Sequence, residues 1–81
     1  MAKILLVEDE SMILEMTQGI LETQGYRVLP ASTPADAIQI TLKHANDIGL
    51  LLTDVIMPKM NGRDLAQKLL DIHPTLKCLF M

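Results

Sequence analysis

Two rhythms of apolar and polar positions alternate along the chain: short unbroken apolar runs, and longer stretches with helical spacing. The first run is Lys3 to Val7, in which Ile4, Leu5, Leu6 and Val7 stand together before Glu8-Asp9-Glu10. A short branched run of this kind predicts a strand buried on both faces. From Glu10 to about Gln24, Ile13, Met16, Ile20 and Leu21 recur on one helical stripe. Gly25 stops that helix, where a left-handed residue is often needed. Tyr26 to Ala31 predicts a second strand. Pro30 assigns it to a sheet edge, because proline cannot donate to an inner ladder.

Ser32-Thr33-Pro34-Ala35-Asp36 marks a helix start. Thr33 can cap, Pro34 suits the first helical position, and Asp36 favours the positive end of the helix dipole. Ala37, Ile38, Thr41, Leu42 and Ala45 form the expected packing face, and Asn46 and Asp47 end the helix. Ile48 to Thr53 is a third strand. Asn61 with Asp64 repeats the capping pattern and opens a helix from about Gly62 to Ile72, with Leu65, Ala66, Leu69 and Ile72 inward. His73-Pro74 breaks it, and Leu76 to Met81 predicts a fourth strand.

Strands alternating with helices predict an α/β fold, a doubly wound parallel sheet with right-handed crossovers. With the second strand at an edge, the first and third lie side by side and the order is 2-1-3-4. Such sheets bind ligands beyond the carboxyl ends of the strands, where the winding direction switches. That place falls between Glu8 and Asp9, after the first strand, and Asp54, after the third.

Composition narrows the picture. A chain of 81 residues predicts one domain, and one this short buries only about 60% of its unfolded surface. Tyr26 and Phe80 are its aromatic residues, so the core must be aliphatic and Met-rich. A net charge of −3 argues against a nucleic-acid footprint, which needs clustered basic residues. The apolar runs fall far short of the roughly twenty residues that span a bilayer, so no membrane partner is expected. No signal-peptide pattern is visible. One cysteine, Cys78, excludes an internal disulfide, fits a reducing cytoplasm, and reads as a small buried hydrophobe in a strand.

The acids carry the candidate chemistry. Taken singly, Glu8 and Glu10 fit solvated helix-start acids, and Asp54 fits a loop carboxylate accepting backbone N–H bonds. Taken together they repel, so one must take a proton or a cation must sit among them. An all-oxygen, shallow, partly hydrated site favours Mg²⁺. His44 and His73 lie elsewhere, each near a helix end where a partly positive imidazole suits the dipole. Zinc and copper are therefore not expected. Mg²⁺ beside a carboxylate favours phosphoryl chemistry, and carboxylates do form aspartyl-phosphates. Residue types alone lead to a Mg²⁺-binding carboxylate pocket suited to phosphoryl groups, and no further.

Ile4-Leu5-Leu6-Val7-Glu8-Asp9-Glu10, followed by Asp54-Val55-Ile56-Met57-Pro58-Lys59-Met60-Asn61-Gly62, resembles the receiver domain of bacterial two-component response regulators. The resemblance covers residues 1–81 and implies a flavodoxin-like fold. It implies that Asp54 takes a phosphoryl group from a phosphohistidine on a sensor histidine kinase or phosphotransfer protein. Asp9, Asp54 and the backbone carbonyl of Ile56 would then bind Mg²⁺ directly, with Glu8 acting through water. Pro58 would fix the loop leaving Asp54, and Gly62 would clear space where that loop enters its helix. Met57 and Met60 read as packing residues and Lys59 as solvated.

The family pattern continues past the fourth strand with a Ser or Thr, a fifth strand ending in Lys, and further helices. The sequence stops at Met81, so it resembles a receiver lacking its fifth strand and last helices. Impaired or uncoupled phosphoryl transfer is the expectation, with Lys77 at the wrong strand end to substitute. Self-association through a fourth-strand edge carrying Leu79, Phe80 and Met81 is a second expectation.

The chain is expected to be a phospho-acceptor, not an enzyme in the ordinary sense. Two alternatives remain. A Mg²⁺-dependent aspartyl-phosphate phosphatase would want a second Asp two residues after the nucleophile, where Ile56 stands. A non-phosphorylated protein-interaction module with the same fold is argued against by the retained acids and argued for by the missing C-terminal third. A nucleotide binder is disfavoured, because it would want a Gly-rich or hydroxyl-rich loop where Glu8-Asp9-Glu10 stands.

Overall fold

The structure is a computed structural model that describes residues 2–55 and 61–81. Its elements run β1 (Lys3–Val7), α1 (Ser11–Thr23), β2 (Arg27–Ala31), α2 (Pro34–His44), β3 (Ile48–Thr53), α3 (Gly62–Ile72) and β4 (Lys77–Phe80). All three pairings are parallel and the sheet order is β2-β1-β3-β4. Pro30 lies on the β2 edge, opposite Leu6. Strand and helix positions follow the apolar rhythm. The differences are at ends: β2 begins one residue later than expected, and β4 spans four residues.

One face of the sheet carries the core. Leu5, Val7, Ala31 and Leu51 meet Ala37 from α2 and Leu65, Ala66 and Leu69 from α3. Ile48 joins the same cluster although it stands three residues before Leu51. The pairing of β1 with β3 skips Gly49 between Lys3–Ile48 and Ile4–Leu50, and that irregularity resets the alternation. A Cβ at Gly49 would stand 2.7 Å from the Ala2 Cβ, which explains the glycine there.

Helix ends follow their local chemistry. Thr33 accepts a hydrogen bond from the Asp36 amide at 3.1 Å, with Pro34 as the first helical residue. Asn61 accepts from the Arg63 amide at 2.7 Å and opens α3. Gly25 adopts φ +93°, the left-handed geometry that lets the chain turn from α1 into β2.

Three packing expectations need correction. Among the described residues Met12, Met16 and Met81 are exposed, and the buried cluster is aliphatic without methionine. Leu42 is 58% exposed, and the buried face of α2 runs instead through Pro34, Ala37 and Thr41. The Thr41 hydroxyl is satisfied by donating to the Ala37 carbonyl at 2.8 Å, so a polar residue fits there. The α1 stripe is largely solvent-facing: Ile13, Met16 and Ile20 are exposed and no α1 residue is buried. α1 packs on β1 and β2, and among the described residues no second helix shares that side to cover the stripe. Leu79 and Met81 are exposed along the β4 edge as well. No helix among the described residues is long and apolar enough to cross a membrane.

Candidate metal centre

Strand register assembles the acidic cluster. Val7 pairs with Thr53 as the last matched position of β1 and β3. Glu8 and Asp54 are each the next residue, so both leave the sheet at the same end. The Glu8 amide still donates to the Ala31 carbonyl at 3.1 Å, which holds it at the strand end. Asp9 follows before α1 begins. One carboxylate oxygen from each of Glu8, Asp9 and Asp54 lies within 4.8 Å of the others.

The three acids differ in surroundings. Glu8 is 3% exposed, so it is not a solvated helix-start acid. Its Oε2 is buried with no hydrogen-bond partner among the described residues. Leaving such an oxygen unpaired costs about 1–3 kcal/mol, more if it is charged. Asp9 is exposed, and Asp54 is half-buried. Burial pushes the Asp54 carboxyl above its ordinary range.

A buried carboxylate with an unpartnered oxygen, clustered with two further carboxylates, fits a hard divalent cation. Ligand type, oxygen only, matches Mg²⁺, which is bound through a few carboxylates while keeping waters. Neither histidine is near. His44 Nδ1 lies 3.8 Å from Asp47. His73 Nε2 donates to the Ile48 carbonyl at 2.7 Å, at the other end of β3. His73 thus has a structural partner that its position after α3 did not reveal. Cys78 is half-buried in β4, and burial raises its thiol pKa. Lys77 begins β4, at the sheet end away from the acids.

Two contacts to the Asp54 main chain were not legible. The Thr53 hydroxyl donates to the Asp54 carbonyl at 3.2 Å. Gly62 donates its amide to the Val55 carbonyl at 2.6 Å and lies against Asp54. The resemblance implied that Gly62 clears space where the loop enters its helix, but not which backbone atoms it would meet. Ile56, named for its carbonyl, and Met57, Pro58, Lys59 and Met60 lie outside the described residues.

The family model described as the response regulator receiver domain matches residues 4–81. The sensor kinase CckA of Brucella abortus (strain 2308) is 32% identical over 80 residues, spanning 99% of this chain and 8% of CckA. A response regulator receiver domain protein from Clostridium thermocellum superposes with TM-score 0.93 and 35% identity, over 99% of this chain and 64% of that one. The receiver domain of the hybrid histidine kinase CckA superposes with TM-score 0.91 and 35% identity, over 98% of this chain and 73% of that one. The chain therefore spans a small part of the sensor kinase and just under two thirds of the Clostridium chain.

Proposed function

The chain belongs to the response regulator receiver domain family, and on that footing we propose that Asp54 accepts a phosphoryl group in two-component signalling. The supporting observation is the carboxylate trio at the ends of β1 and β3, with the buried Glu8 Oε2 unpartnered among the described residues. Asp9 and Asp54 would hold Mg²⁺ directly, together with the Ile56 carbonyl, and Glu8 would act through bound water. When bound, the ion would neutralise charge between carboxylate and phosphoryl oxygens.

The residues of the chain divide the remaining work. An Asp54 carboxylate oxygen attacks phosphorus. The P–N bond to the donor histidine breaks, and its nitrogen keeps the electron pair and takes up a proton. Asp54 ends as an acyl phosphate. Its half-buried position raises its pKa, which favours neutralisation by proton or cation. Thr53 and the β3 ladder hold the strand end from which the carboxylate projects. The donor would be a sensor histidine kinase or phosphotransfer protein, and the setting cytoplasmic.

Family membership argues against the phosphatase alternative, as does Ile56 in the place of a general acid. The interaction-module alternative differs in one measurable respect. A Mg²⁺ titration by calorimetry should show binding that Asp54→Asn abolishes. Equal binding by both chains, or none by either, would remove the phospho-acceptor proposal.

A further inference from the structure

The Asp54 main chain is held from two sides by groups outside the carboxylate trio. Asp54 lies beyond the last ladder pair, Val7 with Thr53; the Met81 amide still ties the Thr53 carbonyl at 2.9 Å, but the Asp54–Val55 peptide that follows has no place in the ladder. The Thr53 hydroxyl, on a fully buried residue, donates to the Asp54 carbonyl at 3.2 Å. From the other side comes Gly62, the first residue of α3. A Cβ there would overlap the Asp54 carbonyl oxygen and stand 2.9 Å from its carbon and 3.1 Å from the Val55 Cα. These are backbone atoms, which cannot swing aside as a side-chain tip can. Gly62 is needed for close approach and not for an unusual dihedral, since Gly25 alone among the described glycines has positive φ. The Gly62 amide also donates to the Val55 carbonyl at 2.6 Å, tying the start of α3 to the residue after Asp54.

We infer that Thr53 and Gly62 are positioning residues that orient the Asp54 peptide and so keep its carboxylate within reach of Glu8 and Asp9. The functional consequence rests on the phospho-acceptor proposal above. Turning a peptide plane swings the side chain attached to it. Mg²⁺ demands near-octahedral ligands at about 2.1 Å, so a small swing of Asp54 removes a ligand. Outer partners that orient metal ligands are worth about 10- to 100-fold in affinity.

Four variants test this. Thr53→Val removes the hydroxyl and keeps the shape; Thr53→Ser keeps the hydroxyl. Gly62→Ala inserts the overlapping Cβ. Gly49→Ala inserts a Cβ 2.7 Å from the Ala2 Cβ, a milder clash at the far end of β3. Each is crystallised in chelator to measure the trio spacing, titrated with Mg²⁺ by calorimetry, and unfolded in urea.

Gly62→Ala and Thr53→Val should widen the trio beyond 4.8 Å and weaken Mg²⁺ binding by about 10- to 100-fold. Thr53→Ser should restore both, and Gly49→Ala should lose stability while keeping Mg²⁺ affinity. Should Gly62→Ala fail to fold, Thr53→Val against Thr53→Ser carries the test. Wild-type spacing and affinity in Thr53→Val, and in folded Gly62→Ala, would overturn the inference. A wild-type chain with no Mg²⁺ affinity, alongside variants with a displaced Asp54, would sink the phospho-acceptor proposal and support the positioning role.

Discussion

Asp54→Asn should stabilise the metal-free protein. The substitution keeps the shape of the side chain and removes its charge. Partner carboxylate oxygens on Glu8 and Asp9 lie within 4.8 Å. Two unit charges at that distance repel by about 0.9 kcal/mol in water, and by about 3.5 kcal/mol at an effective dielectric of about 20. Exposed Asp9 sits near the first figure and buried Glu8 nearer the second. Proton uptake by Asp54 relieves part of the strain, and salt screens Asp9, so about 1–3 kcal/mol should remain.

Urea unfolding at neutral pH in chelator measures it. With a slope of about 1 kcal/mol per molar, the midpoint of the variant should rise by at least about 1 M. Adding Mg²⁺ should reverse the ranking. At 1,000 times its dissociation constant, an ion binding only the native state adds about 4.1 kcal/mol to the wild type, more than that gap, and the variant should gain none. A variant no more stable than wild type in chelator would refute the repulsion argument. Equal Mg²⁺ gains would refute the role of Asp54 as a ligand.

Further outcomes follow from other residues. Burial raises the folded pKa of Asp54 above its ordinary value of 3.8, so the native state holds the proton more tightly. Its stabilising contribution is fully present below the unfolded pKa and is lost as pH rises through the folded pKa. The stability gap between Asp54→Asn and wild type should therefore close on acidification in chelator, and a constant gap across the acid range would contradict this. His73→Leu should cost about 1–3 kcal/mol by orphaning the Ile48 carbonyl, with Mg²⁺ affinity unchanged; urea unfolding and calorimetry read the two. The exposed β4 edge with Leu79, Phe80 and Met81 should promote self-association, which a strictly monomeric mass in concentrated light scattering would disprove.

Much of the fold was legible because this chain punctuates clearly. Pro30 marked an edge strand, Thr33-Pro34 and Asn61 marked helix starts, and Gly25 marked a stop. The end-to-end placement of Glu8 and Asp54 followed from strand order alone. Burial was less legible. Periodicity finds the apolar side of α1 but cannot say whether anything covers it. The bulge at Gly49 was also hidden, since an irregular pairing shifts alternation without changing composition. Within the site, residue types named the acids, but the depth of Glu8 and the grip of Thr53 and Gly62 depend on tertiary approach. Family likeness supplied the phosphoryl group and its donor, which no spacing of carboxylates specifies.

Transfer of radiolabel from a phosphohistidine donor in Mg²⁺, followed in wild type and Asp54→Asn, is the most direct test of Asp54 as acceptor. Label should enter the wild-type chain, however slowly, be released by hydroxylamine as an acyl phosphate, and be absent from the variant. Equal labelling of the variant, or no labelling of the wild type with donor and Mg²⁺ saturating, would contradict it.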